Sequence, residues 1–329
     1  MQVEPSVSVV IPARDAGAWI AETIASVIAQ TARARIREIV VVDDGSSDDT
    51  AAIAAEPLRQ SGIPHAIVRA NGGGPSAARN LGWRRCGGSW VQFLDADDRL
   101  DAEKIARQLN VAGDRRDIAV VYSPWTDLYA NGAHWQPASW LRNPCIGADT
   151  VADLLAHENF IATGSQLFQR SWLERVGGFN ERLRLIEDVD LLLRIAIGGG
   201  QFERVGSEKP LFLYRRHPGS ASSSDPGAFT QANLRNLQLV EDHWKGNGPL
   251  TEARAHWLAR KRFEAGRALA EGDRASFEAH VAHLNALCPS FVPPSPPALR
   301  WLARAVGYGR AELLSVQYRR FKRQREAVN

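Results

Sequence analysis

The sequence has little sulfur and no long apolar run. Only three of its 329 residues are cysteine, Cys86, Cys145 and Cys288, and one is methionine. The cysteines are far apart and odd in number, with no CxxC and no Cys/His cluster, so the pattern supports neither a disulfide framework nor a zinc site. No window approaches the roughly 18–20 uncharged apolar residues that a membrane-spanning helix needs. The first residues, Met-Gln-Val-Glu-Pro, carry no basic region of the secretory kind, so the expected location is cytoplasmic. A strong charge of one sign is also missing: the formal net charge is +3. That small excess is unevenly placed. Residues 298–329 hold eight Arg/Lys against two acids, while the other 297 residues hold 32 bases and 35 acids. Mild basicity laid on a slightly acidic body argues against a nucleic-acid binder. Hydrophobic residues make up 44% of the chain, enough for one large domain with an appendage or for two domains.

What is present in the first third is a rhythm. Val7–Ile11, Glu38–Val42, Ala66–Arg69 and Trp90–Leu94 read as buried strands. Ala18–Gln30, Asp49–Gln60, Ser76–Arg85 and Ala102–Ala112 read as helices between and after them. Strand then helix, repeated, predicts a mostly parallel sheet flanked by helices. Residues 123–150, rich in Trp, Pro, Asn and Gly, read as loop and edge strand around a binding surface, or equally as aromatic packing under a long loop. Trp125, Trp135 and Trp140 fall there. Gln201–Tyr214 reads as a strand pair. Segments 229–243, 251–270, 275–286 and 298–323 read as helices, with a proline-rich link at Pro289–Pro297. The expected organisation is a catalytic domain over residues 1–225, divided into 1–121 and 122–225, followed by a helical extension over 226–329.

Two of the strands end in acids: Asp43-Asp44-Gly45-Ser46 and Asp95-Ala96-Asp97-Asp98. In an open parallel sheet both groups point to the rim beyond the strands' carboxyl ends, where ligands bind. Carboxylates packed there repel one another unless a cation or donor groups compensate, and hard oxygen ligands suit Mg2+ or Mn2+. Acids after strands also simply cap the next helix, a reading that fits the first group better than the second. Asn71-Gly72-Gly73-Gly74-Pro75-Ser76 feeds a helix carrying Arg79, and its amides could meet an anion. It is neither a P-loop nor a GxGxxG turn. Glu187-Asp188-Val189-Asp190 opens another helix, as acids commonly do, and also offers a general base. Tyr214-Arg215-Arg216-His217 ends a strand and enters Gly219–Ser224, which reads as a mobile loop.

Taken in order, Val7–Pro12, Val41–Thr50, Gly73–Asn80, Phe93–Asp98, Gly177-Gly178-Phe179 and Glu187-Asp188 resemble the family 2 glycosyltransferases over about residues 5–220. The resemblance implies an α/β fold of the GT-A (Rossmann-like) type; residues 226–329 lie outside it and read, from their helical pattern, as a C-terminal helical extension. It implies inverting transfer of a sugar from a nucleotide-sugar donor, most often a UDP-sugar, to a glycan or lipid-linked acceptor. It places Pro12, Asp15, Asp43, Asp44, Arg79 and Asp95 at the donor. Asp97, Asp98 and His217 fall to Mg2+ or Mn2+ and the diphosphate, and Glu187 with Asp188 to catalysis, Asp188 being the base. The chain departs from the family where Ala13-Arg14-Asp15 follows the first proline, and at Trp83 and Cys86. Two other readings stand beside this one. A nucleotidyltransferase would need a glycine- and arginine-bearing loop near the N-terminus, and a non-catalytic component of a glycan assembly complex would not need Asp95, Asp97 and Asp188. In the tail, Leu299, Leu302, Val306, Leu313 and Val316 fall near one helical face with arginines mostly elsewhere. That pattern suits peripheral contact with the inner face of the cell membrane, or a docked helix with a solvated basic end.

Overall fold

The computed structural model describes residues 4–132, 134–217, 226–271, 274–292 and 297–326. The chain forms two compact units, residues 1–221 and 222–329. In the first, the order is β1 (Val7–Ala13), α1 (Ile20–Ile28), β2 (Ile36–Asp43), α2 (Thr50–Ser61), β3 (His65–Arg69), α3 (Pro75–Arg85) and β4 (Trp90–Phe93). Then come β5 (Arg99–Leu100), α4 (Lys104–Ala112), β6 (Ile118–Tyr122), β7 (Trp125–Asn131), β8 (His134–Pro137) and α5 (Thr150–Asp153). The unit ends with β9 (Gln166–Gln169), α6 (Arg170–Val176), α7 (Glu187–Ile197), β10 (Gln201–Arg204) and β11 (Phe212–Arg215).

Seven strands form the central sheet in the order β10-β6-β9-β4-β1-β2-β3. The neighbours β4, β1, β2 and β3 are all parallel, and β10 is parallel to β6. Only β9 runs against its neighbours, β4 and β6. Central strands covered by helices on both faces carry apolar side chains at successive positions, and Val9, Val10, Ile11, Val41 and Val42 are all fully buried. Helix α3 lies close on this sheet because Gly82 has no side chain: a Cβ there would stand 2.3 Å from Val10 Cγ1.

Three features differ from the sequence expectation. Gln201–Tyr214 is not a strand pair. β10 joins the central sheet beside β6, whereas β11 joins a second sheet of order β5-β11-β7-β8. The reason is continuity: β6 runs through Ser123-Pro124 into β7, and residues 201–215 track it in parallel from one sheet to the other. Residues 123–150, expected to hold loop and an edge strand, contain an antiparallel pair, β7–β8; Trp125, Thr126, Asp127 and Leu128 are all buried and show no alternation that would mark β7. Finally, β9 has only four residues, too few for a period.

The second unit is helical: α8 (Pro226–Gly246), α9 (Glu252–Gly266), α10 (Arg274–Leu287), α11 (Pro297–Val306) and α12 (Tyr308–Glu326). Its core gathers Ala259, Phe263, Phe277, Leu284, Cys288 and Tyr308. The expected single helix over 298–323 is two, broken at Gly307, whose φ of +83° is left-handed. No helix among the described residues is long and apolar enough to cross a membrane. The loop Gly219–Ser224 lies outside the described residues.

Candidate active site

The parallel strands end at one rim, and the register sets which residues meet there. Ala13 at the end of β1 pairs with Asp43 at the end of β2, and the Asp44 N–H continues the ladder to the Ala13 carbonyl. Asp43 is buried and accepts the Ser46 N–H at 3.0 Å. Asp44 accepts three amides of the glycine turn, from Gly72 (3.1 Å), Gly73 (2.9 Å) and Gly74 (2.7 Å). The anion held by that turn is therefore the protein's own carboxylate, and Asp44 acts on the loop's shape. Beside it, a cleft of about 580 Å3 is lined by Asp44, Ala70, Asn71, Gly73, Ala77 and Leu81, among others. Pro12 is half-buried one residue before the end of β1. Asp15 is exposed, with a left-handed φ of +48°, and accepts the Ser47 amide at 2.7 Å and its hydroxyl at 2.9 Å. Those bonds hold its carboxyl below the ordinary value.

Arg79 ties the two main motifs together. It is buried on α3, and its guanidinium donates to Asp95 Oδ1 and to Glu187 Oε1, each at 2.7 Å. Burial opposes its charge, but Asp95 and Glu187 outweigh that and hold it firmly protonated. A residue expected to face the nucleotide thus works as a strap between the strand-end acids and α7. That helix begins after Ile186, whose φ of +50° is strained for a β-branched residue. The turn carries Glu187 inward to Arg79 and leaves Asp188 half-buried beside it, 3.3 Å from the Thr163 hydroxyl. Burial, then the neighbouring Glu187 charge, push the Asp188 carboxyl up to about 7. A group with that value exchanges a proton near neutrality, as a general base must.

Across the rim, Asp97 Oδ2 lies 2.9 Å from His217 Nε2. Burial and the Asp95 charge raise the Asp97 carboxyl. Asp98 is raised further, by burial and by Asp97 and Asp95. Asp98 does not reach the open rim as a ligand would: it is buried and accepts the Arg215 N–H at 2.8 Å, fixing the end of β11. Arg215, not singled out in the sequence, is the pin of this corner. Its Nε donates to the Asp97 carbonyl at 2.5 Å and its Nη2 to Glu22 at 2.6 Å, and its guanidinium lies 4.8 Å from the Trp19 ring and 4.4 Å from the Trp135 ring. Arg215 and Arg216 are adjacent and chemically alike in sequence. Strand alternation sends them to opposite faces, and only the fold tells which one enters the site.

Among the described residues, no group of three or more His, Cys, Asp or Glu side chains is placed to hold a metal with protein ligands alone. The residues present nevertheless fit a divalent cation shared with a substrate. Asp97 and His217 offer one oxygen and one nitrogen side by side, with the Asp95 charge close enough to raise the Asp97 carboxyl further after burial. Mg2+ is commonly held by one or two carboxylates, with water and substrate phosphates completing its shell.

Comparison with known proteins agrees with this arrangement. Residues 8–177 match the profile of Glycosyl transferase family 2. The succinoglycan biosynthesis protein ExoU of Rhizobium meliloti is 28% identical, over 70% of this chain and 75% of its own length. The chain spans about a quarter or less of the length of several other curated relatives that it matches. Among solved structures, S. aureus TarS 1-349 in complex with UDP-GlcNAc aligns with a TM-score of 0.66 at 20% identity, covering 95% of this chain and 92% of that one. The mannosyltransferase PcManGT of Pyrobaculum calidifontis, in complex with GDP-Man and Mn2+, aligns with a TM-score of 0.51 at 18% identity, covering 96% and 87%. With just over half of its residues matching the profile and its strand-end acids gathered at one rim, the chain belongs to glycosyl transferase family 2 and has the GT-A fold.

Proposed function

We propose that the chain transfers a sugar from a nucleotide-sugar donor, with a UDP-sugar favoured, to a hydroxyl of a glycan or lipid-linked acceptor. Transfer would invert the anomeric carbon and depend on Mg2+ or Mn2+. The observation that carries this reading is the Arg79 strap, which sets Asp95 and Glu187 on one guanidinium and so gathers the Asp95-Ala96-Asp97 and Glu187-Asp188 segments at one rim. The UDP-GlcNAc bound by TarS 1-349 favours a uridine nucleotide, and the Mn2+ bound by PcManGT favours a divalent cation.

In this reading Asp188 accepts the proton of the attacking acceptor hydroxyl, and its raised affinity for protons suits that task at neutral pH. Thr163, through its hydrogen bond, keeps the carboxylate oriented. The acceptor oxygen bonds to the anomeric carbon as the bond to the diphosphate breaks on the opposite face, so one base suffices and no enzymic nucleophile forms an intermediate. Asp97 and His217 would hold the cation, which when bound supplies Lewis-acid stabilisation of the leaving diphosphate. Arg215 and Asp98 keep those two side chains in register. Asp43, Asp15 and Pro12 line the donor end of the rim. In the second unit, the exposed Trp301 and Tyr318 and the exposed Arg300, Arg304 and Arg310 are assigned to contact with an anionic membrane surface.

The test is a thermal-shift series with UDP-, GDP- and dTDP-sugars with and without Mn2+, followed by NMR of the product's anomeric configuration. Stabilisation by one nucleotide only when Mn2+ is present, lost in Asp97→Asn, is the expected result. Metal-independent stabilisation or a retained configuration would refute the corresponding part of the reading.

A further inference from the structure

Trp125 opens β7 and is 2% exposed. Two separate pieces of chain, residues 140–142 and Phe160, are fastened to it or to the residue that follows. Its indole N–H donates to the Phe160 carbonyl at 3.2 Å. Its backbone N–H and C=O pair with those of Arg142, at 3.0 and 2.8 Å. The Thr126 hydroxyl donates to the Trp140 carbonyl at 2.5 Å. The rings of Trp140 and Phe160 stand edge-on to the Trp125 ring, at centroid distances of 6.0 and 5.8 Å, both with an interplanar angle of 82°. The bonds fix the backbone at residues 140, 142 and 160, while the rings of Trp140 and Phe160 remain 39% and 37% exposed.

Arg142 adds a charge to this platform. Its guanidinium carbon lies 5.7 Å from the Trp140 ring and 5.9 Å from that of Trp125. Among the described residues no carboxylate forms an ion pair with it, whereas nearby Arg216 is paired with Asp127 at 2.9 Å. A guanidinium stacked on aromatic rings keeps its N–H edge for a planar or tetrahedral anion. An exposed aromatic face covers the C–H face of a sugar ring at low entropic cost, because few rotamers are lost. The platform is also near the base. Phe160 precedes Thr163 by three residues, a span of about 10 Å at most, and the Thr163 hydroxyl lies 3.3 Å from Asp188.

We propose that Trp140, Phe160 and Arg142 form an acceptor subsite for a saccharide that carries an anionic group, a carboxylate or a phosphate. The inference rests on the glycosyl-transfer reading above and names the acceptor's class. The anionic group pairs with Arg142, a ring of the acceptor lies on Trp140 or Phe160, and the hydroxyl to be glycosylated extends along residues 160–163 toward Asp188.

Calorimetric titration of the full chain, with UDP and Mn2+ present, would compare hexagalacturonate, a phosphorylated maltohexaose and uncharged maltohexaose. At least one charged oligosaccharide should bind tenfold or more tightly than maltohexaose, and the two charged arms tell carboxylate from phosphate. Arg142→Gln should abolish that preference, and Trp140→Ala should weaken every oligosaccharide that binds. Both variants should keep the wild-type affinity for UDP and the wild-type melting temperature. Equal binding of charged and neutral probes, no binding of any of them, or a preference that survives Arg142→Gln would overturn the subsite. UDP is also titrated alone. A chain that binds UDP but shows no charge preference sinks the subsite and spares the donor reading, whereas one that binds no nucleotide under any condition sinks the donor reading.

Discussion

Asp188 sits where stability and chemistry pull in opposite directions. Burial and the Glu187 charge raise its carboxyl from 3.8 to about 7, so between those values the folded chain holds a proton that the unfolded chain has released. Folding stability contributed by this group therefore falls as pH rises from about 4 to about 7, and is lowest above that range. Asp188→Asn removes the charge and its cost. The variant should be more stable by about 1–2 kcal/mol near pH 8, a figure reduced for the residue's partial exposure, and scanning calorimetry should find the difference gone near pH 4. The same substitution should lose transfer while keeping donor binding. In the wild type, the initial rate should climb with pH through about 7 and then level, as expected when the working form is the free carboxylate. Arg79 is the opposite case. Removing it leaves Asp95 and Glu187 facing each other without their cation. Arg79→Met should cost about 3–5 kcal/mol in chemical denaturation, and a double substitution with Glu187→Gln should cost less than the sum of the two alone.

At the scale of elements, the site depends on how closely α3 approaches the central sheet. Gly82 permits that approach, and a methyl group there would collide with Val10 at the heart of the sheet. Gly82→Ala should destabilise by about 1–3 kcal/mol through overpacking. Because α3 also carries Arg79, the variant should lose transfer activity beyond what its lower melting temperature explains. Long or strongly patterned elements were legible in the sequence: β1, β2, α2 and α3 appear within a few residues of their expected bounds. Short ones were not. β9 and β5 take their strand character from neighbours distant in sequence, and β10 and β11 look like a pair until β6 and β7 are seen to capture one each. Arg215 is hidden for a related reason: its partners Glu22 and Trp19, Asp97, and Trp135 come from three different parts of the chain.

At the scale of the whole molecule, the basic tail is not a detachable arm. Tyr308 of α12 packs against the rings of Phe263 and Phe277, and Ala311 and Val316 are buried. Deleting residues 298–329 would therefore open the core of the second unit, and membrane contact has to be tested by point substitution. Trp301 is 72% exposed and Tyr318 69%, so Trp301→Ser with Tyr318→Ser should leave the melting temperature within a few degrees of wild type. Sedimentation with anionic vesicles should then fall several-fold, and binding of the wild type should weaken as salt is raised. Unchanged sedimentation would mean that the exposed face serves another purpose.

The sequence by itself determined the class of this protein. Strand-ending acids and helix-opening acids, in order and spacing, announce a parallel sheet with a charged rim, because pattern and local propensity act over a few residues. Which carboxylate does what was decided only in three dimensions. Asp44 closes on the glycine turn, Asp98 on β11 and Asp95 on Arg79, while Asp97 remains beside His217 and Asp188 is left with a raised proton affinity. These carboxylates look equivalent along the chain. Burial, and the donors brought to each by distant segments, make them different.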